Sequence, residues 1–530
     1  MFSLTRASVS SLLAALALAG CAPRTVAYEV KLVTEACGDE RPPMDGVTHL
    51  QLRVTGEGEG LPLTQKAVRG DGTVSLPEIP AGKGRRIEVR GYAGDPDTGG
   101  QVVSLGRSTS FEIPDVLPEG LEQPVKVTVF LRRVNAFARL ASADNPRTCV
   151  GLRGARAGHT ATLLPDGRVF VAGGFQLNGS RRTALSTAEI FYPSTGDFAQ
   201  AAELAFVSPN QVSYATPRAF HTATMMDAKT GQVLVTGGET YTDSGNPAPI
   251  TFGLLYDPGF NDYGVIRMKA ERSRHQAVQD ASGRVLLVGG VDKAGAPHAT
   301  LESYQLGLAE TSVAADATGA LLSLKRVGHS AAAVQGGKYI AVAGGHDGAT
   351  LQDGVRFLSF DGERFNFAEA QSPQLRDPRR AGVLAGFRND EQLLLLGGYD
   401  SASENAYTAV PTTELIKTGQ AFQVSDGPAL LNARGSLCAA SLPDGRVLTV
   451  GGFVSDATGA RSDSSAELIS DKGDGTALVT TLQPLEKGRH HVTCTTLQDG
   501  SVLVLGGVNA VGSTQTVLDE ALVFTPAPLD

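Results

Sequence analysis

The sequence predicts an all-β chain: a seven-bladed β-propeller preceded by a small β-sandwich domain. Three observations carry this. Seven double glycines each close a short apolar run: Gly173-Gly174, Gly237-Gly238, Gly289-Gly290, Gly344-Gly345, Gly397-Gly398, Gly451-Gly452 and Gly506-Gly507. Their first glycines are 64, 52, 55, 53, 54 and 55 residues apart, and a near-fixed period of this size marks an array of like units. The 63 Gly and 27 Pro among 530 residues are spread along the chain, which suits turn-rich β structure.

The chain opens on an export signal, residues 1–20. Arg6 supplies the positive start, and residues 12–18 (LLAALAL) form an apolar stretch too short to span a bilayer. Leu18-Ala19-Gly20-Cys21 then resembles the lipobox of bacterial lipoproteins. The resemblance implies cleavage before Cys21 and acyl chains on that residue, anchoring the rest to a membrane. Ala22, rather than Asp, follows the cysteine. By the sorting rule of that family the destination is the outer membrane or cell surface. Residues 21–26 read as a linker.

Acidic residues outnumber basic ones, 55 to 46, for a formal charge of −9. The basic footprint that nucleic acid requires is missing. Export permits disulfides among Cys37, Cys149, Cys438 and Cys494, with three pairings open. Cys438 and Cys494 stand in the first strands of successive units, 13 and 12 residues before their double glycines. They are a candidate pair, although the one-residue offset turns them to opposite faces in an ideal register. Cys149 is the alternative partner for Cys494. No Cys-x-x-Cys or His-x-x-x-His spacing suggests a structural zinc site.

Residues 27–134 lack the repeat. They read as short alternating strands with Gly- and Pro-rich breaks. The strongest is 125–134, with Val125, Val127, Val129 and Leu131 on one face. A compact antiparallel sandwich follows, immunoglobulin-like or transthyretin-like, acting as a spacer.

Residues 135–530 carry the repeat. Each unit begins with an Arg and a turn, as in 156–175 (RAGHTATLLPDGRVFVAGGF). A strand of small and apolar residues leads to a hairpin turn: Asp166-Gly167, Ser282-Gly283, Asp444-Gly445 or Asp499-Gly500. The next strand is almost wholly apolar, as in 285–288 (VLLV), and is expected to be buried on both faces. The double glycine then admits close approach of neighbouring backbones. A third strand carries an aromatic or aliphatic stripe, as in 188–192 (AEIFY), and a weaker fourth follows near Phe198, Val265, Phe365, Phe422 and Val479. Four strands per unit around a ring make a propeller.

These units resemble the kelch repeat, with its Arg-x-x-His opening, its strand into Gly-Gly and its third-strand aromatic. The opening histidine is present at His159, His221, His275 and His329, and becomes Gly382, Leu437 and Val492 in the last three copies. The chain has no Trp, so Phe198 and Phe365 stand in for the tryptophan usual on the fourth strand. The resemblance implies the fold, and its members include copper radical oxidases of the galactose-oxidase type and sialic-acid epimerases. The copper class needs two Tyr, two His and a Cys–Tyr cross-link, and no such set emerges here. Neither cofactor nor metal is expected.

Recurrence once per unit makes the four histidines scaffold fixtures, since a site is used once. His490-His491 breaks the pattern, but neighbours on a strand point to opposite faces and make a poor metal pair. The loops after the double glycines are long and varied: 175–186, 239–251, 399–412 and 453–465. They share a face with the blade-to-blade connections. That face holds the candidate ligand-binding residues Tyr241, His346, Asp347, Tyr399, Asp400 and Tyr407, where aromatics amid small polar residues suit a protein or glycan ligand. The expected function is a lipid-anchored binding platform at the cell envelope. A carbohydrate- or alcohol-active oxidase or epimerase on the same ring is the alternative.

The last copy ends soon after its third strand, 521–524. An open ring would leave an unpaired edge. Residues 135–141 (NAFARLA) are therefore expected to supply the missing fourth strand, with Phe137 matching Phe198 and Phe365.

Overall fold

The computed structural model describes residues 28–38, 40–57, 61–68, 78–114, 125–207, 210, 212–314, 324–368, 372–388, 392–403, 407–419, 421–456, 459–474 and 476–529. The export signal, Cys21 and the linker lie outside them.

In the N-terminal domain, alternation in His49–Thr55 turns Leu50, Leu52 and Val54 inward. This strand is central to an antiparallel sheet with Leu63–Val68, Gly82–Ala93, Gln101–Arg107 and Arg132–Arg133. Val30, Val127 and Val129 cover the sheet's inner face. They come from Tyr28–Val33 and Val125–Phe130, which pair in parallel. The second layer thus departs from the antiparallel expectation. A parallel pair needs a long crossover, and every strand of the antiparallel sheet except Arg132–Arg133 intervenes between these two strands.

The propeller is a seven-bladed kelch-type ring. Blade one comprises Thr160–Leu163, Val169–Ala172, Ala188–Tyr192 and Asp197–Gln200, paired in sequence order. The innermost strands of the seven blades touch in a closed circle. They run from Thr160–Leu163 through Thr222–Met225, Gln276–Gln279, Val327–Val334, Val383–Phe387, Cys438–Ser441 and Thr493–Thr496, and back to the start.

Each second strand is buried on both faces, as its apolar run requires. Phe170 and Ala172 of blade one pack with Val233 and Val235 of blade two. Val169 and Val171 face the other way, toward Leu503 and Leu505 of blade seven. The same alternation builds every seam between blades. Each such side chain contributes about 1.5–3 kcal/mol.

Blade seven is composite. Ala136–Ala141 pairs with Ala521–Thr525, with Phe137 opposite Phe524 and their rings 5.1 Å apart. Blades one and four repeat this aromatic pair as Phe191–Phe198 and Phe360–Phe365. Cys149–Val150 adds a fifth strand outside Ala136–Ala141.

Two disulfides bracket this blade. Cys438 bonds Cys494, joining the first strands of blades six and seven. Those strands belong to different sheets converging on the axis, so the flat-sheet face rule behind the offset argument does not govern them. Cys149 bonds Cys37, not Cys494, and staples the N-terminal domain to the ring. That domain sits on the face of the first hairpin turns: Arg86 donates to the Gln498 carbonyl at 2.7 Å and Arg107 to that of Asp499 at 3.1 Å. The loops after the double glycines lie at the other ends of the first and second strands.

Candidate functional site at the loop face

One closed hydrogen-bonded circle and a second, partly linked one frame the mouth of the ring. In the first, the second glycine of every pair donates to the opening arginine's carbonyl in the next blade. The seven bonds run from Gly174–Arg218 round to Gly507–Arg156, at 2.8–3.0 Å. A side chain on the first glycine would collide with that same carbonyl.

The arginines themselves are all but inaccessible. Each donates to the first-glycine carbonyl of its own blade. Arg156, Arg272, Arg379, Arg434 and Arg489 also pair with Glu189, Glu302, Glu414, Glu467 and Glu520. Arg218 instead lies 5.0 Å over the ring of Phe252, and burial draws its guanidinium down to about 9.

The second circle lies two residues further on. Gly158, Phe220, Arg274, Gly328, Ala381, Ser436 and His491 all adopt φ between +51° and +68°. Amide-to-carbonyl links run around the axis: Gly158 to His491, Phe220 to Gly158, Arg274 to Phe220, Ala381 to Gly328 and Ser436 to Ala381. This left-handed backbone costs a non-glycine residue about 1–2 kcal/mol, and the linked circle offsets it. Blade one contributes Gly158 with no side chain, so Phe220 and His491 meet across it with ring centroids 5.1 Å apart.

Cations gather on these rings. The Arg274 guanidinium lies 4.6 Å from the Phe220 centroid, and that of Arg182 lies 4.8 Å from Phe175 and 5.7 Å from Phe220. Arg274 is paired with Glu239 at 3.2 Å. The Tyr241 hydroxyl and Ser273 Oγ also donate to this buried carboxylate, at 3.1 and 2.9 Å. Burial, then Glu239, pushes the Tyr241 phenol up. Burial, then Arg182, draws His490 down to about 4. His491 is lowered by burial, His490, Arg182 and Arg274. Both imidazoles are therefore neutral beside the guanidiniums. They precede the first strand of blade seven rather than lying in it, with rings 4.8 Å apart, so the strand-face argument does not apply to them. His490 Nδ1 bonds Ser462 Oγ at 2.8 Å.

The rim is lopsided. Segments that read as irregular loops are hairpins: Phe175–Asn178 with Arg181–Ala184 in blade one, Glu239–Tyr241 with Pro247–Pro249 in blade two, and Phe453–Asp456 with Gly459–Ser462 in blade six. Blade seven adds Val508–Val511 with Thr514–Val517, joined to blade six through Arg461 opposite Val511. The blade-one hairpin touches those of blades seven and two, making a continuous wall. Blades three, four and five carry isolated bridges, Val291–Pro297, His346–Leu351 and Tyr399–Ala409.

The candidate residues divide among blades. Tyr241 joins the cluster around Glu239. His346 and Asp347 sit together in blade four, closing a turn: Asp347 accepts from the amides of Ala349 and Thr350 at 3.0 and 2.9 Å, which hold its carboxyl low, and His346 Nδ1 accepts from Gly348. Tyr399, Asp400 and Tyr407 share blade five. Tyr399 is buried, packs at a tilt against Tyr407 with ring centroids 4.5 Å apart and donates to the Phe453 carbonyl at 2.9 Å. Asp400 accepts from the Thr408 amide. Arg182, Phe220, Glu239 and Arg274 were not singled out from the sequence. For Phe220 and Arg274 the signal is the third residue of the Arg-x-x-His opening, which differs in all but two copies of an otherwise regular unit; Arg182 and Glu239 lie in the variable segments after the double glycines.

The repeat histidines are fixtures. His159, His221 and His275 bond through Nε2 to Thr493, Thr160 and Thr222 of the preceding blade, at 3.0–3.1 Å. Each of the four rings stands against a first glycine. Leu437 packs against Gly397 in the same place.

No family model matches the sequence, and no curated protein does. Among solved structures, the chain is similar to YjhT, with 15% identity and a TM-score of 0.44 over 62% of this chain and 99% of that one. It is also similar to a fungal alcohol oxidase of the AA5 family in complex with copper, with 14% identity and a TM-score of 0.50 over 74% and 76%. The likeness to the oxidase is one of fold. The residues present do not fit a tyrosine–histidine–cysteine copper site. Among the described residues no three His, Cys, Asp or Glu side chains converge, Cys438 and Cys494 are bonded to each other, and the Tyr399 hydroxyl is engaged by a carbonyl.

Proposed function

We propose that this chain is a lipoprotein anchored through Cys21 at the outer membrane or cell surface, whose propeller presents its loop face to a protein or glycan ligand. One observation carries the reading. The N-terminal domain is fastened to the first hairpin turn of blade seven, while at the other end of the ring four contiguous hairpins wall one side of the mouth around strained aromatic and cationic residues. Variable structure on a rigid ring is where binding resides, and strained backbone clusters at such sites. No helix among the described residues is long and apolar enough to cross a membrane, and the lipobox-like segment supplies the anchor.

The test has two parts. Cys21→Ser should release the protein from the membrane fraction or leave it unprocessed. A glycan array and an envelope-extract pull-down should yield a ligand whose capture is lost when the 178–181 turn of the blade-one hairpin is replaced by a bulky, unrelated loop. Equal capture by that variant would count against the loop face. Stoichiometric copper with a radical absorption band would replace the binding reading with an oxidase.

A further inference from the structure

Beside Phe220, charge is balanced at one guanidinium and not at the other. Arg274 spends its charge on Glu239, whose oxygens also take the Tyr241 and Ser273 hydroxyls. Arg182 is half-buried and stacked on Phe175 and Phe220, and among the described residues no carboxylate or carbonyl accepts from its side chain. The nearby imidazoles add no charge. Arg182 therefore carries a positive charge that no carboxylate among the described residues neutralises, on a chain of formal charge −9.

Resting on the loop-face reading above, we propose that Arg182 is the anchor for a carboxylate on an acidic saccharide, a hexuronate unit. The planar guanidinium fork matches a carboxylate in two parallel hydrogen bonds, and the stacked rings hold the fork in place. A single unpaired guanidinium suits a single carboxylate. A uronate brings one carboxylate per ring together with an apolar ring face, which suits the aromatic surface of Phe220 and Tyr241. An acidic peptide would bring further carboxylates against a net-negative chain and the Asp347 and Asp400 carboxylates of the same face.

The experiment is calorimetric titration of the full chain with a hexuronate disaccharide, the neutral hexose disaccharide of the same linkage, and an acidic pentapeptide. The uronate should bind about ten- to a hundredfold tighter than its neutral counterpart, the worth of a charge-assisted hydrogen-bond pair. Arg182→Met should erase that preference, and Arg182→Lys should keep only part of it. Arg181→Met removes the same charge from the exposed neighbour on the same hairpin and should leave the preference intact. Unchanged discrimination in Arg182→Met overturns the proposal, as does an equal loss in Arg181→Met, which would mean bulk charge, or tighter binding of the pentapeptide. If wild-type protein ignores both saccharides yet captures an envelope ligand through the hairpin wall, this proposal fails and the loop-face reading stands. If nothing engages the wall, that reading fails with it.

Discussion

The amide of Gly507 donates to the carbonyl of Arg156 at 3.0 Å, and that bond joins the last blade to the first. It is one of seven equivalent bonds, yet it spans almost the whole repeat region. The ring is closed by this bond at the mouth and by the Phe137–Phe524 strand pair at the rim, so its two ends form one cooperative unit.

Removing residues 520–530 should therefore destabilise the whole propeller. The deletion takes out Leu522, Val523 and Phe524, all buried, worth upwards of ~5 kcal/mol together, and strips Ala136–Ala141 of its partner. Scanning calorimetry should show a single lowered transition. An unchanged midpoint would contradict the coupling.

Gly506→Ala should cost about 2–4 kcal/mol, from left-handed backbone strain and overpacking together. Gly506 has φ +59°, and a Cβ there would press on the Arg156 carbonyl. Gly512→Ala is the control, with the same φ of +59° but open space around it, and should show the strain alone. Urea midpoints for the two variants separate the terms.

Glu467→Ala should cost about 3–5 kcal/mol, because it leaves the Arg434 charge buried without its partner. Glu467 lies 2.8 Å from Arg434 and accepts from the Asn432 amide at 3.1 Å. Equilibrium unfolding measures this, and a loss below ~1 kcal/mol would show that the carboxylate is dispensable.

Acid should unfold the ring through its histidines. Burial, then the neighbouring arginine, depresses His221 and His329 from 6.5 to about 3. The unfolded chain binds those protons first, so stability is full above 6.5 and falls as pH drops toward 3. The slope is about 1.4 kcal/mol per pH unit for each such histidine. His221→Leu, which copies Leu437 of blade six, should lower the slope measured between pH 6 and 4 by one histidine's share. An unaltered slope would place the acid sensitivity elsewhere.

The parts of the fold that were legible in the sequence are those whose burial is local and periodic. Runs such as VFVA at Val169–Ala172 declare a doubly buried strand, and the double glycine declares a close approach. The hairpins of the wall were hidden because Arg181–Ala184 and Thr514–Val517 carry no apolar face. The parallel pairing of Tyr28–Val33 with Val125–Phe130 was hidden because pairing at that separation leaves no local pattern. In the mouth, Tyr241 was found as an aromatic in a variable segment. Arg182, Arg274 and Phe220 were passed over because their meaning lies in which blades adjoin, and adjacency across a ring is not written in any single unit.

The composite seventh blade also imposes an order of events. Ala136–Ala141 emerges hundreds of residues before Ala521–Thr525, so during synthesis it waits without its main partner. Its other edge is covered early by Cys149–Val150, which the Cys37–Cys149 bond fastens to the N-terminal domain. The outer strand of the last blade is thus tied to a domain that precedes it in the chain. Ring formation is then a late capture step, gated by the arrival of the final strand, and until it occurs six blades share one open seam for chaperones to guard.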